Sequence, residues 1–266
     1  MSNRPALDGV AVILVEYRSG GLVADRASEA LAAGAIVSVA DNSGTYVGEG
    51  LVTRATTNVG FGAGCNLAVS ALPAGADVLI FVNPDVEIDV HGLQVLAEAV
   101  RDGWTAVAPG IDTGGGHREQ GFAVPSAARA IALAVADVIE LHTPWRRRRA
   151  SNARGVGDDH GRGVLEAEGR FASAAVLAVD RAGFEAVGGF DDSYFLYVED
   201  LDLWARLANR GRVGFVPDVV ARHAGSQGSG GMSVDRRMLL RWIGREQFLQ
   251  RHGGRWRLVR FAHRAL

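Results

Sequence analysis

Short apolar runs alternate along the first half of the chain with segments whose apolar residues recur every three or four positions. Val10–Val15 is continuously apolar and rich in β-branched residues, which predicts a buried parallel strand. Gly20–Ala33 has the spacing of an amphipathic helix. This alternation predicts an open, mostly parallel α/β sheet with helices on both faces. The strands are predicted at Val10–Val15, Ala35–Ala40, Leu51–Ala55, Asp77–Val82 and Ala106–Ala108, and the helices at Gly20–Ala33, Gly62–Leu72 and Asp89–Arg101.

The pattern is weaker after Gly110, where Gly114–Gly116 and His142–Gly163 are predicted to be loops. The later elements are predicted as a strand at Phe171–Val179, a helix at Arg181–Val187, two short strands at Val213–Val216 and Val219–Arg222, and a helix at Asp235–His252. No repeat or domain boundary is visible. We expect one domain over 1–266, with a nucleotide-binding half at about 8–110, an acceptor and catalytic half at about 111–230, and a basic helical segment at 235–266.

Composition excludes several classes of protein. The chain has 266 residues, of which 48% are hydrophobic and 22% charged, so global disorder is excluded. No run approaches 18 apolar residues, and Met1–Pro5 has no apolar segment typical of a secretory signal. The single cysteine, Cys65, excludes an internal disulfide. These features predict a cytoplasmic protein.

Positive charge is concentrated although the net charge is only −2. Arg146–Arg149 form one cluster, and residues 235–266 contain nine arginines against two acids. Aromatic and aliphatic residues interleave with these arginines, as in segments that bind anionic membrane surfaces. We therefore expect peripheral binding at the inner face of the plasma membrane; the alternative is a helix packed on the core with a solvated basic face. No nucleic-acid motif is present, so a nucleic-acid partner is not expected.

Two adjacent carboxylates, Glu199 and Asp200, follow an aromatic run and open a predicted helix. The helix N-terminus favours negative charge, so both are expected to be ionised and able to accept a proton from a hydroxyl. The alternative is an acidic first turn that only stabilises the helix. The residues at helical spacing on the predicted buried face are Leu201, Trp204, Ala205 and Ala208.

Asn83-Pro84-Asp85 comes directly after a buried strand. Proline cannot continue a central strand, so the chain must turn and present Asp85 at the sheet edge. A carboxylate there, with phosphate oxygens, suits Mg²⁺ or Mn²⁺. His223, at a predicted strand end, is a second candidate ligand. The alternatives are an ordinary turn aspartate and a structural histidine.

The segment Asn58–Asn66 is rich in glycine but matches neither the dinucleotide fingerprint nor a P-loop. Its glycines permit close approach of the backbone to a ligand or to a neighbouring strand.

Taken in order, these motifs resemble glycosyltransferase family 2, inverting enzymes with the GT-A fold, and most closely its rhamnosyltransferase-type branch. The matching segments are Asp41-Asn42-Ser43, Asn58–Asn66, Asn83-Pro84-Asp85, Gly188-Gly189-Phe190-Asp191, Glu199–Leu203 and Pro217–His223. The resemblance implies a GT-A sheet with a small second sheet. It also implies a nucleotide-sugar donor, typically dTDP-L-rhamnose in that branch.

The resemblance also implies roles for particular residues. Asp200 would be the general base, with Glu199 shaping the acceptor site. Asp85, with His223, would hold Mg²⁺ or Mn²⁺ at the donor diphosphate. The donor-binding residues would be Tyr17, Asp41, Asn42, Gly62, Asn66, Asn83 and Asp85, with Asp41 on the base. One departure is Glu16-Tyr17-Arg18, where the family usually has Thr-Tyr-Asn.

The expected function is therefore metal-dependent transfer of a sugar to a glycan or polyprenyl-diphosphate-linked saccharide in cell-wall or surface polysaccharide synthesis. A sugar-nucleotide nucleotidyltransferase is a second hypothesis, but it would need a basic glycine-rich loop after the first strand. The chain has only Arg18–Gly21 there and contains no lysine. A non-catalytic nucleotide-sugar-binding domain is the third hypothesis.

Overall fold

The computed structural model describes residues 5–112, 118–119, 121–123, 163–223 and 232–252. The strands in this part of the chain are β1 (Val10–Glu16), β2 (Ile36–Asp41), β3 (Leu51–Arg54), β4 (Val78–Val82), β5 (Val86–Glu87), β6 (Ala106–Asp112), β7 (Arg118–Glu119), β8 (Phe122–Ala123), β9 (Leu165–Glu166), β10 (Arg170–Phe171), β11 (Val176–Asp180) and β12 (Val213–His223). The helices are α1 (Leu22–Ala32), α2 (Phe61–Ser70), α3 (Val90–Arg101), α4 (Arg181–Ala186), α5 (Glu199–Ala208) and α6 (Val234–His252).

The main sheet has the strand order β3-β2-β1-β4-β11-β6-β12-β5, with β7 on β6 and β9 on β12. Strand β1 runs parallel to β2 and β4, and β6 runs parallel to β12. Strand β11 lies antiparallel between β4 and β6. A two-stranded sheet of β8 and β10 stands apart. The predicted mostly parallel sheet with a small second sheet is therefore confirmed.

Alternating side chains of β1 pack on opposite layers of helices. Val10, Val12 and Leu14 belong to the core that includes residues of α1 and α3. Ala11, Ile13 and Val15 face the core that includes residues of α2, α4 and α5. A strand buried on both faces explains why its sequence is continuously apolar rather than alternating.

Two predicted strand assignments in the second half of the chain were wrong in detail. The strand predicted at Phe171–Val179 begins only at Val176. Before it, the Ala174 N–H donates to Asp200 of α5 and the Ala175 carbonyl accepts the N–H of Asn83, just after β4, so these residues do not continue the strand. The two strands predicted around Pro217 are one strand, β12, with a register shift between Val216 and Val220. Proline lacks the N–H that would pair there, so it interrupts the pairing with β6 without ending the strand.

Helix α5 buries more than the single face that its spacing predicts. Leu203, Trp204 and Leu207 lie in the core beneath the sheet, whereas Leu201 packs on Phe248 and Leu249 of α6. Ala208, predicted to be buried, is exposed. The helix is packed between two layers, which a one-sided pattern does not anticipate.

Residues 114–116, 142–162 and 253–266 lie outside the described residues, so the two predicted loops and the end of the basic segment are not described, apart from Gly163. Within the described residues, no helix combines the length and the apolar character needed to cross a membrane.

Candidate active site

The ends of β1 and β2 place Glu16 beside Asp41 in register. Asp41 is fully buried, and its carboxylate accepts N–H bonds from Gly44 at 2.8 Å and from Tyr46 at 3.1 Å. Burial alone would raise the pKa of Asp41, but the backbone N–H bonds outweigh it and lower that pKa. Asp41 thus holds the turn that follows β2, and its contact with a nucleobase stays a prediction.

Asn42 links this turn to the glycine-rich segment. Its Nδ2 donates to the carbonyl of Gly60 at 2.9 Å, whereas its buried Oδ1 accepts no hydrogen bond within the described residues. Buried polar atoms are usually paired, so this oxygen keeps an acceptor position for a ligand N–H or a water.

Gly62 and Asn66 make contacts inside the protein. A Cβ on Gly62 would lie 3.0 Å from the Cβ of Phe190. The Asn66 amide donates to the Phe190 carbonyl at 2.8 Å and accepts from the Phe190 N–H at 2.9 Å. These contacts hold α2 against the Gly188–Asp191 motif. Contact of Gly62 or Asn66 with the nucleotide-sugar donor stays a prediction.

The departure from the family pattern at the end of β1 has a local explanation. Glu16 is buried and accepts hydrogen bonds from the backbone N–H and the hydroxyl of Ser19. The guanidinium of Arg18 lies 5.4 Å from the ring centre of Tyr17. Tyr17 therefore lies after the end of β1, where the nucleotide-sugar donor is predicted to bind, with the Arg18 guanidinium over its ring.

The two predicted metal ligands lie together. Asp85 follows β4, and its side chain is only 5% exposed. Its Oδ2 lies 3.2 Å from Nε2 of His223. They meet because β5 pairs with the end of β12, where His223 is opposite Val86. No cluster of three or more His, Cys, Asp or Glu with metal-binding geometry occurs among the described residues. Asp85 and His223 are the candidate ligands that the described residues place together at this point.

Asp200 lies near the start of α5, half-buried and still reachable from solvent. Its carboxylate accepts N–H bonds from Leu201 at 2.8 Å and from Ala174 at 3.4 Å. Glu199 is buried, and its Oε2 has no hydrogen-bond partner within the described part of the chain.

The surroundings raise the pKa of both adjacent carboxyls. Burial and the neighbouring charge of Asp200 raise the pKa of Glu199 well above its usual range. Burial also raises the pKa of Asp200, but N–H bonds from Leu201 and Ala174 partly offset the effect. These N–H bonds favour the charged form of Asp200, the candidate base. The expectation that both carboxylates are ionised stays a prediction, and burial opposes it at Glu199.

The backbone just before these carboxylates is strained. Tyr197 and Val198, which we call the elbow, have φ of 71° and 73°. For residues other than glycine this left-handed conformation costs about 1–2 kcal/mol each, and a β-branched valine is especially disfavoured there. Such strain persists only where the surroundings hold it, and it is concentrated at functional sites.

A short segment, Ser173–Ala175, brings the two halves of the site together. Ala174 donates to Asp200, and the carbonyl of Ala175 accepts the N–H of Asn83 at 2.8 Å. Asn83 begins the turn that presents Asp85. The segment thus contacts both the base candidate and the turn that carries Asp85, next to the carboxyl end of β4, where ligands of open α/β sheets bind. Sequence reasoning missed this segment, because its small residues carry no chemical signal.

No family model matches the chain. Two curated relatives, both the N-acetylglucosaminyl-diphospho-decaprenol L-rhamnosyltransferase of Mycobacterium tuberculosis (strains CDC 1551 / Oshkosh and ATCC 25618 / H37Rv), are 29% identical over 192 residues. The match covers 65% of this chain and 58% of each relative.

Solved structures give the fold. GalNAc-T7, crystallised with UDP, GalNAc and Mn²⁺, superposes with a TM-score of 0.57 at 16% identity, over 91% of this chain and 50% of that one. Residues 1–349 of S. aureus TarS superpose with a TM-score of 0.54 at 12% identity, over 91% of this chain and 72% of that one. The chain has the GT-A fold. Its predicted resemblance to family 2 rhamnosyltransferases is confirmed by the relatives.

The raised pKa of Glu199 predicts an unusual stability profile. Below about pH 4.3, the ordinary value for glutamate, Glu199 is protonated in both folded and unfolded chains and burial carries no penalty. As the pH rises toward the folded-state pKa, the unfolded chain ionises first, so the wild-type protein loses about 1.4 kcal/mol per pH unit. Glu199→Gln removes this loss. We expect urea denaturation to show the variant as more stable at pH 7–8, with the gain shrinking toward pH 5.

A matched control is Glu98→Gln, since Glu98 is exposed on α3. It should change the free energy of unfolding by less than about 0.5 kcal/mol at any pH. If the Glu199→Gln variant were destabilised equally at every pH, a specific hydrogen bond or ion pair would hold the Glu199 carboxylate, and burial would not be what sets the pH dependence of stability.

Proposed function

We propose that this chain is an inverting, metal-dependent glycosyltransferase. It transfers L-rhamnose from dTDP-rhamnose to a hydroxyl of a polyprenyl-diphosphate-linked saccharide in cell-wall or surface polysaccharide synthesis. The observation that carries the proposal is the segment Ser173–Ala175, which contacts Asp200 on one side and the Asn83-Pro84-Asp85 turn on the other. A proton acceptor and a diphosphate site are the two groups that this transfer requires.

Asp200 is the proposed general base. It removes the proton of an acceptor hydroxyl as that oxygen bonds the anomeric carbon and the bond to the donor diphosphate breaks. One displacement from the opposite side inverts the configuration. The partial exposure of Asp200 lets a hydroxyl reach it, and its raised pKa makes it a better proton acceptor than an ordinary aspartate.

Asp85 and His223 would hold the divalent metal. A carboxylate oxygen and an imidazole nitrogen 3.2 Å apart form a donor set that Mn²⁺ accepts, and Mg²⁺ also binds through few protein ligands plus phosphate and water. A bound cation would neutralise the charge that develops on the leaving diphosphate.

The donor and acceptor are inferred from two sources. The relatives are named as rhamnosyltransferases acting on N-acetylglucosaminyl-diphospho-decaprenol, although this chain spans only 58% of their length. In this chain, Arg237, Arg241 and Arg245 recur every fourth residue of α6, and Arg241 lies over the ring of Tyr197, 4.7 Å from its centre. These arginines suit a diphosphate-bearing acceptor next to the elbow.

The test is an assay of purified protein with Mn²⁺ and a panel of donors: dTDP-rhamnose, UDP-glucose, UDP-galactose and GDP-mannose. We expect dTDP release from dTDP-rhamnose and rhamnose transfer to a GlcNAc-diphospho-polyprenol. Pyrophosphate-dependent formation of nucleoside triphosphate would instead identify a nucleotidyltransferase. Tight donor binding without any turnover would identify a binding domain, and either result would contradict the proposal.

Peripheral membrane binding has a candidate surface on the outer face of α6. Leu239 and Ile243 are one turn apart and 56% and 45% exposed, with exposed Arg236 on the same side. An apolar pair next to a cation suits an anionic lipid surface. We expect the double substitution of Leu239 and Ile243 by Asp to weaken binding to phosphatidylglycerol vesicles about tenfold or more, measured by co-sedimentation.

Val47→Asp is the matched control, because Val47 is 88% exposed on another part of the surface. It should leave vesicle binding unchanged. Equal binding of the double variant and the wild type would exclude this face of α6 as the membrane surface.

A further inference from the structure

The inner face of α6 packs on the structure that carries the proposed base. Phe248 and Leu249 of α6 form a buried cluster with Leu201 of α5, and Val198 of the elbow packs against it. The last turn of α6 adds polar contacts. His252 Nε2 lies 2.8 Å from Oδ1 of Asp202, which is 1% exposed.

Asp202 connects α6 with the rest of the site. Its second oxygen, Oδ2, accepts a hydrogen bond from Nε of Arg206 at 2.8 Å. The same guanidinium donates to the carbonyl of Gly189 at 2.7 Å. Arg251 forms an ion pair with Asp191 and donates to the Ser193 hydroxyl at 3.2 Å. One network therefore joins the end of α6, the first turn of α5 and the Gly188–Asp191 motif.

The strained elbow is in direct contact with α6 at a glycine. A Cβ on Gly244 would lie 3.0 Å from the carbonyl oxygen of Tyr197 and 3.0 Å from Cβ of Val198. A side chain at this position would be in tighter contact than most Cβ atoms in proteins, so the elbow or α6 would have to shift. On its other side the loop is held by Gly60, whose Cβ would lie 2.0 Å from the carbonyl oxygen of Phe195. The elbow is thus confined between the glycine-rich segment and α6.

We propose that α6 is a brace that positions Asp200, acting through Gly244 on the elbow and through His252 on Asp202. Both are positioning residues, since neither touches the reacting atoms, and the proposal rests on the proposed role of Asp200. Tyr197 and Val198 are not glycines, so their left-handed backbone conformation persists only if contacts with neighbouring segments stabilise it. Asp200 follows the elbow by two residues, so a shift of the elbow moves the carboxylate directly.

Gly244→Ala tests the elbow contact. Alanine favours a helix more than glycine does, so α6 itself is not weakened. The added methyl group requires the elbow to move by a few tenths of an ångström. Since misplacement of a reacting group by about 1 Å can cost about 100-fold in rate, we expect kcat for transfer to fall about 3–10-fold, with little change in the KM for the donor. The thermal midpoint should change little.

His252→Ala and His252→Gln test the polar contact. Alanine leaves Asp202 without one partner, whereas glutamine supplies an amide N–H that can reach the same oxygen. We expect a loss of kcat in the alanine variant and a substantial recovery in the glutamine variant. Gln250→Ala is the control, since Gln250 is exposed in the same part of α6, and it should behave as the wild type.

Hydrogen exchange gives a readout that does not depend on the reaction. Peptides covering 195–205 should exchange faster in Gly244→Ala and His252→Ala than in the wild type, while peptides of β1 and β4 should not change. Unchanged exchange and unchanged kcat in both variants would overturn the brace, as would equal losses in the two His252 variants. If the wild type transferred no sugar while the exchange differences appeared, the proposed function would fail and the brace would stand.

Discussion

Asparagine at position 200 is expected to preserve binding of the nucleoside diphosphate and to slow sugar transfer by about 10²–10⁴-fold, the usual contribution of a positioned base. Asparagine has the shape of aspartate and keeps an oxygen for the Leu201 N–H, which lies 2.8 Å from Oδ1 in the wild type. It cannot take a proton from the acceptor. The measurement pairs single-turnover transfer rates with calorimetric titration of dTDP in Mn²⁺.

The pH dependence gives a second test of the same assignment. Transfer requires ionised Asp200, and burial raises the pKa of that carboxyl above its usual range. The transfer rate should therefore rise with pH, and the midpoint of this rise should lie above the ordinary aspartate pKa of about 3.9. Asp102→Asn, at an exposed aspartate beyond the end of α3, is the control and should not alter the rate. Normal turnover by Asp200→Asn would refute the base assignment.

Replacement of Asp85 by asparagine is expected to abolish the stimulation of nucleotide binding by Mn²⁺. Asp85 supplies the anionic ligand of the proposed pair with His223, 3.2 Å away. Loss of even an outer partner of a metal site typically costs about 10–100-fold in affinity. We expect at least that reduction for dTDP in the presence of Mn²⁺, and transfer should fall in parallel.

Titration without metal distinguishes a loss of metal binding from a loss of folding. Titrations in EDTA should show the same weak affinity for Asp85→Asn and the wild type, because only the metal-dependent part of binding is removed. His223→Ala should give a smaller loss of the same kind, since it keeps the carboxylate. If Asp85→Asn kept its response to Mn²⁺, the metal would be held elsewhere.

Much of the site was accessible from local sequence. A proline after a buried strand forces a turn, so the turn at Asn83-Pro84-Asp85 could be predicted without a structure, whereas the burial of Asp85 could not. The same holds for the acidic start of α5, which helical spacing and charge indicate together. His223 was a weaker prediction, because a lone histidine has no local signature, and its place beside Asp85 depends on the pairing of β5 with β12.

The contacts of other predicted residues could not be anticipated. Asp41 looks like a ligand-binding turn residue, but in the structure its carboxylate accepts the N–H groups of its own turn. Asn66 lies in the glycine-rich segment and is a donor-binding residue by resemblance; in the structure its amide bonds Phe190, 124 positions away. A polar side chain in a turn or helix has many available partners, and only the packing of distant segments selects among them.

The sequence by itself determined the strands and helices of the first half, the direction of the sheet, and the two carboxylates on which the proposed chemistry depends. These follow from local periodicity, because burial on one or both faces leaves a repeat along the chain. The tertiary structure alone decided that Glu199 is buried, that the elbow is strained, and that α6 packs on α5. Burial, strain and long-range contacts depend on atoms that are distant in sequence and leave no repeat in it.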